Sequence, residues 1–71
     1  MEDIGRDGAK AAALNHAGVA ESQTTRMKVK QDWDDGRLEY EVEFNVGWTE
    51  YKYTIDGATG AILEYEQDID D

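Results

Sequence analysis

Seventy-one residues make one small domain, and a chain of that length buries only about 60% of the surface its unfolded form exposes. Seventeen acidic residues stand against seven basic ones, a net charge of −10 that repels nucleic-acid phosphates and anionic lipid and argues against both as partners. Cysteine and proline are absent, so no disulfide or thiol chemistry is available, and glycine, asparagine and aspartate must make the turns. Four tyrosines, two tryptophans and a phenylalanine in regular patterns set the chain apart from a disordered acidic tail. No apolar run is long enough to cross a bilayer, and Met1-Glu2-Asp3 does not begin a signal peptide, so direct membrane insertion by this segment is not expected.

The first element is a helix over about 6–17, rich in alanine and free of β-branched residues. Ala9, Ala12, Ala13, His16 and Ala17 fall on one face at three-four spacing. Gly18 suits the left-handed residue that ends a helix, and Val19 then reaches back to Leu14. The start is weaker. Gly5 or Asp7 is a candidate cap, but Gly8 stands where a glutamate would complete a capping box, so the first turn is expected to fray.

After a polar connection over 20–24 the period changes to strict alternation. Strands are expected over about 25–34, 37–45, 48–56 and 61–67. Their apolar sets are Met27, Val29 and Trp33; Leu38, Tyr40, Val42 and Phe44; Tyr51, Tyr53 and Ile55; and Ala61, Leu63 and Tyr65. Asp35-Gly36 is a two-residue hairpin signal that sets Asp34 opposite Arg37 and Val29 opposite Val42. Val46-Gly47 in the second loop would set Val42 opposite Tyr51, Tyr40 opposite Tyr53 and Leu38 opposite Ile55. A loop from Asp56 to Gly60 would pair Tyr53 with Leu63 and Tyr51 with Tyr65, turning Ile62 outward. The expected fold is α+β: one N-terminal helix packed on a four-stranded antiparallel β-meander.

Several stretches then resemble the PepSY family. They are Ile4-Gly5, Leu14-Asn15-His16-Ala17-Gly18-Val19, Asp34-Asp35-Gly36, Tyr40-Glu41-Val42-Glu43-Phe44, Glu50 to Asp56, and Ala58-Thr59-Gly60-Ala61-Ile62-Leu63. The similarity runs from Ile4 to about Glu66, and its most specific part is Ile55-Asp56 followed after two residues by Thr59-Gly60. Gly8 departs from the acidic residue usual in the family and Gly57 from the usual alanine, which bears on local helix and turn stability. The resemblance implies a helix on an antiparallel sheet and a role without catalysis, in peptidase propeptides or in extracellular and cell-envelope proteins. It implies a protein partner, a peptidase first among the candidates, whose activity the domain restrains. A structural or protein-interaction domain of a larger envelope protein is the alternative, and the chain is expected as a monomer or a weak homodimer.

The remaining motifs favour structure over chemistry. Asp32-Trp33-Asp34-Asp35-Gly36 invites a calcium reading, but counting from Asp32 puts Gly36 at position 5 and Arg37 at 6, where an EF-hand loop needs an acidic group and a glycine. His16 lacks an oriented partner and a glycine-framed nucleophile, so packing near the helix C-terminus is its expected role. Asp56, Thr59 and Gly60 read as a turn, with the aspartate and threonine accepting from loop amides. Glu41 and Glu43 lie on a solvated face that does not split carboxylate pKa values for glycosidase chemistry. No catalytic residue, metal or cofactor is therefore expected. Gly18, Asp35, Gly36, Asp56, Thr59 and Gly60 serve turns, and the candidate partner contacts are Trp48 at a hairpin tip and Ile62 on the fourth strand. That strand, guarded only by acidic residues, is expected to be the more adhesive sheet edge, whereas the first carries Arg26, Lys28 and Lys30.

Overall fold

Small side chains at the helix face let a sheet of aromatics come close, and that exchange organises the molecule. In the computed structural model, which describes residues 3–69, α1 spans Gly5–Ala17 and presses Ala9 and Ala13, one turn apart, onto the sheet with no residual exposure. The sheet supplies Tyr40, Val42, Phe44, Tyr53 and Ile55 to the same core. Gly18 ends the helix at φ 74°, donating its amide to the carbonyls of Leu14 and Asn15, while the Val19 amide also reaches the Leu14 carbonyl. A single 3-10 turn at Glu21–Gln23 then folds back on the helix, where Lys10 Nζ lies 3.0 Å from Glu21 Oε2.

Four strands follow: β1 (Thr25–Asp34), β2 (Arg37–Val46), β3 (Thr49–Asp56) and β4 (Ile62–Ile69). They pair in the order β1-β2-β3-β4, each antiparallel to its neighbour, so β1 and β4 are the open edges. The helix lies over β1, β2 and β3.

The first hairpin has the expected register, with Asp34 opposite Arg37 and Val29 opposite Val42. Asp35 and Gly36 both take positive φ, 53° and 76°, as a type I′ turn requires. Near its start β1 carries a bulge, where Arg26 adopts φ 56° between Thr25 and Lys28.

The second hairpin differs from expectation by two residues. Its turn is Gly47-Trp48, not Val46-Gly47, so Val46 faces Thr49, Phe44 faces Tyr51, Val42 faces Tyr53 and Tyr40 faces Ile55. Gly47 at φ 59° takes the first turn position, where a II′ turn places glycine, and the shift stacks Phe44 on Tyr51 with ring centroids 5.1 Å apart. A slip of two keeps every side chain on its own face, so the core is unchanged.

The third hairpin also shifts. Tyr53 faces Tyr65 and Tyr51 faces Gln67, while Ile55 faces Ile62 across a bulge whose extra residue is Leu63. The outward orientation expected of Ile62 is thus corrected: Ile62 packs against the core, and Leu63 stands 39% exposed. The bulge supplies the reversal, because one unpaired residue moves the alternation to the other face.

The helix start is better held than its lack of a capping side chain suggests. The Asp3 carboxylate accepts the Gly5 amide at 2.9 Å and the Tyr40 hydroxyl at 2.9 and 3.0 Å. The Ile4 amide donates to the Gly57 carbonyl at 2.9 Å, which moors the segment to the loop between β3 and β4.

Candidate protein-binding surfaces

The loop after β3 is built around one carboxylate. Asp56 Oδ1 accepts the amides of Ala58 at 2.8 Å and Thr59 at 3.1 Å, while Thr59 Oγ1 accepts the Ala61 amide at 3.2 Å. Gly60 turns the chain at φ 80°, and Asp56 also donates its own amide to the Ala61 carbonyl. Those two side-chain-to-amide bonds, assisted by Arg37, hold the Asp56 carboxyl below its ordinary value. The chemistry here is turn closure.

His16 reaches over the sheet from the last helical turn. Its Nδ1 shares a 3.0 Å hydrogen bond with the Tyr53 hydroxyl, and its ring meets that of Tyr65 edge-on at 4.9 Å. Burial pushes the Tyr53 hydroxyl up to about 12, with Tyr65 and Tyr51 adding to the effect. The hydroxyl, the imidazole and the Tyr65 ring form an aromatic clasp between α1, β3 and β4.

On the outer sheet face the carboxylates crowd. Burial and the neighbouring Asp34 push Glu39 above the ordinary carboxylate value, with Asp32 and Glu64 adding to the rise and Arg37 opposing it. Among the described residues, no group of three histidine or acidic side chains converges to hold a metal ion. Lys52 sits 3.8 Å from Glu43 and 3.6 Å from Glu50, both exposed pairs of small energetic value.

Among the described residues, three surfaces present apolar groups to solvent. Trp48 stands 79% exposed at the tip of the second hairpin. At the opposite end, a groove of about 400 Å³ runs between Trp33, Leu38, Gly57 and Ala58, with Arg37 and Asp3 at its margins. Trp33, assigned to the apolar face of β1 from its alternation, is 65% exposed there. The third is β4, in which every residue except Ile62 is exposed. Of the two candidate contacts, Trp48 is largely exposed and Ile62 is half-buried against the core, while the groove and the Asp3–Tyr40 link were not evident from local sequence patterns.

Fold and surfaces together define a small α+β module with an open sheet edge. The family model for the peptidase propeptide and YPEB domain, PepSY, matches residues 4–66, and the chain belongs to that family. PepSY domains are generally non-catalytic propeptide or regulatory modules and usually occur in extracellular or envelope proteins. The uncharacterized protein Spy1430 of Streptococcus pyogenes serotype M6 is 43% identical over 61 residues, which cover 86% of this chain. The match spans 47% of that relative's length. No solved structure was found to match the chain. Among the described residues, no helix is long and apolar enough to cross a membrane.

Proposed function

We propose that this chain is a non-catalytic binding module that restrains a secreted or cell-surface peptidase by occupying part of its surface. The observation that carries this reading is β4: a strand hydrogen-bonded to β3 alone, with Ile62 as its single residue against the core and the remainder exposed. Such an edge offers main-chain groups to an extended segment of a partner. Membership of the propeptide family supports a peptidase as the partner. In this reading no residue of the chain performs chemistry, and inhibition works by exclusion.

A second reading is favoured by the length of the streptococcal relative, of which the match spans 47%. There the module is a structural or interaction domain within a larger envelope protein. Titrating the purified chain against thermolysin-like metallopeptidases separates the two. The first reading expects dose-dependent loss of peptidase activity and co-elution of the pair. Full activity and separate elution at saturating concentrations would leave the second.

A further inference from the structure

The two sheet edges are unlike each other. β1 is interrupted by the bulge at Arg26 and carries Lys28 and Lys30, both devices that discourage pairing. β4 has its bulge at the very start, between Ile62 and Glu64, and then runs in unbroken register with β3 to Ile69. Along that run the faces alternate cleanly. Glu64, Glu66 and Asp68 share the outer face with Thr54, Lys52 and Glu50, while Tyr65, Gln67 and Ile69 share the helix-side face with Tyr53, Tyr51 and Thr49.

None of the three β4 carboxylates has a cation within ion-pair distance among the described residues, because Lys52, opposite Glu66, is turned to Glu43 and Glu50. On the other face Ile69 is 68% exposed and Tyr65 is open to solvent beside His16. We infer that β4 is a docking edge for an extended, basic segment of a partner protein, one that alternates lysine or arginine with apolar residues. The basic residues would lie opposite Glu64, Glu66 and Asp68, and the apolar ones against Tyr65 and Ile69. This deepens the binding-module reading and rests on it.

Charge selects this occupant over a second copy of the chain. Two β4 strands joined antiparallel into one continuous sheet keep their acidic faces together in every register, so carboxylate would meet carboxylate. Pairing β4 with β1 of another copy would offer Lys28 and Lys30, but Asp32 and Asp34 follow on the same face, and each copy brings a net charge of −10.

The test uses the full chain and three labelled eight-residue peptides, matched to the length of β4: lysine alternating with valine, the same composition in blocks, and glutamate alternating with valine. Binding is followed by fluorescence anisotropy, and the bound region by amide chemical shifts. The alternating basic peptide should bind, shift the amides of residues 64–69, and lose affinity as salt rises. Glu64→Lys with Glu66→Lys should weaken it by about tenfold or more, since cross-strand attractions become repulsions. The neutral pair Glu64→Gln and Glu66→Gln should fall between, and unchanged circular dichroism would show that both variants fold. Equal binding of the block peptide, shifts centred away from β4, absence of binding, or a dimer that forms through β4 would each overturn the inference. Peptidase inhibition that survives the lysine double variant would overturn the edge and keep the inhibitor reading. Peptide binding at β4 without inhibition of any peptidase would do the reverse.

Discussion

The Tyr40 hydroxyl donates to both carboxylate oxygens of Asp3, at 2.9 and 3.0 Å, and so fastens the entrance of the helix to the middle of the sheet. Tyr40 is buried, and burial, with the same bond adding to it, holds its hydroxyl above the ordinary value, in the neutral form that donates. Asp3 also accepts the Gly5 amide, so its carboxylate takes the place of the capping side chain that Ile4, the residue at the N-cap, does not have.

Asp3→Ala should therefore lower Tm by about 4–8 °C, the shift that loss of one well-formed interaction produces in a domain of this size. Tyr40→Phe should lower it by a similar amount, and the double variant by little more than either alone, because both remove the same contact. Additive losses in thermal melts would show that the bond is not what holds the helix entrance.

Gly57 lies where the loop after β3 crosses Leu38. A Cβ there would stand 2.7 Å from Leu38 Cγ and 2.9 Å from the Leu38 carbonyl oxygen, the atom that accepts the Gly57 amide at 2.8 Å. Gly57→Ala must open that contact, and overpacking of this kind costs about 1–3 kcal/mol. Urea unfolding of the variant at pH 7 measures it directly. A midpoint equal to the wild type would mean that the loop yields without loss. The departure from the family's usual alanine thus coincides with a close approach of the loop to Leu38 in this chain.

Alternation in the sequence determines faces much better than it determines registers. Val42 meets an apolar partner whether Tyr51 or Tyr53 lies across from it, so the choice between Val46-Gly47 and Gly47-Trp48 as the turn had no hydrophobic penalty to decide it. The first hairpin was readable because Asp35-Gly36 leaves only one sensible turn. At β4 the pattern misled, since Ile62 and Leu63 are both aliphatic and a bulge decides which of them packs against the core. Asp3 was out of reach for a different reason: its partner is 37 residues away, and no local motif signals such a pairing. Of the surfaces, the hairpin-tip position of Trp48 and the edge position of β4 followed from strand order alone, while the groove beside Trp33 depends on how the N-terminal segment crosses the sheet.

Asp56 sets an acid limit on the fold. Its carboxyl lies below the ordinary 3.8 because the Ala58 and Thr59 amides bind the charged form. The folded value being the lower one, the unfolded chain takes up the proton first. The contribution is complete above about 3.8 and is lost as pH falls through the depressed folded value. Asp56→Asn should be less stable than the wild type at pH 7, and the gap should shrink as pH drops below 3.8. Melts recorded from pH 7 down to acid check this, and a gap that stayed constant would assign the loss to shape and not to charge.

Glu39 works in the opposite direction. Burial on the sheet face, with Asp34, Asp32 and Glu64 close by, raises its carboxyl above the ordinary 4.5 despite the opposing pull of Arg37. A carboxyl raised in the folded state binds its proton more readily there than in the unfolded chain. The charged form is therefore a cost at neutral pH, relieved as pH falls through the raised value toward 4.5. Glu39→Gln should melt at a higher temperature than the wild type at pH 7, and the two should converge in acid. Added sodium chloride should stabilise the wild type as well, since it screens the repulsion among the carboxylates of a chain carrying a net charge of −10. The variant should gain less from salt than the wild type does. A Glu39→Gln variant that melts lower at pH 7 would show that Arg37 outweighs the acidic neighbours at this position, and a wild type that salt leaves unchanged would show that carboxylate repulsion does not limit the fold.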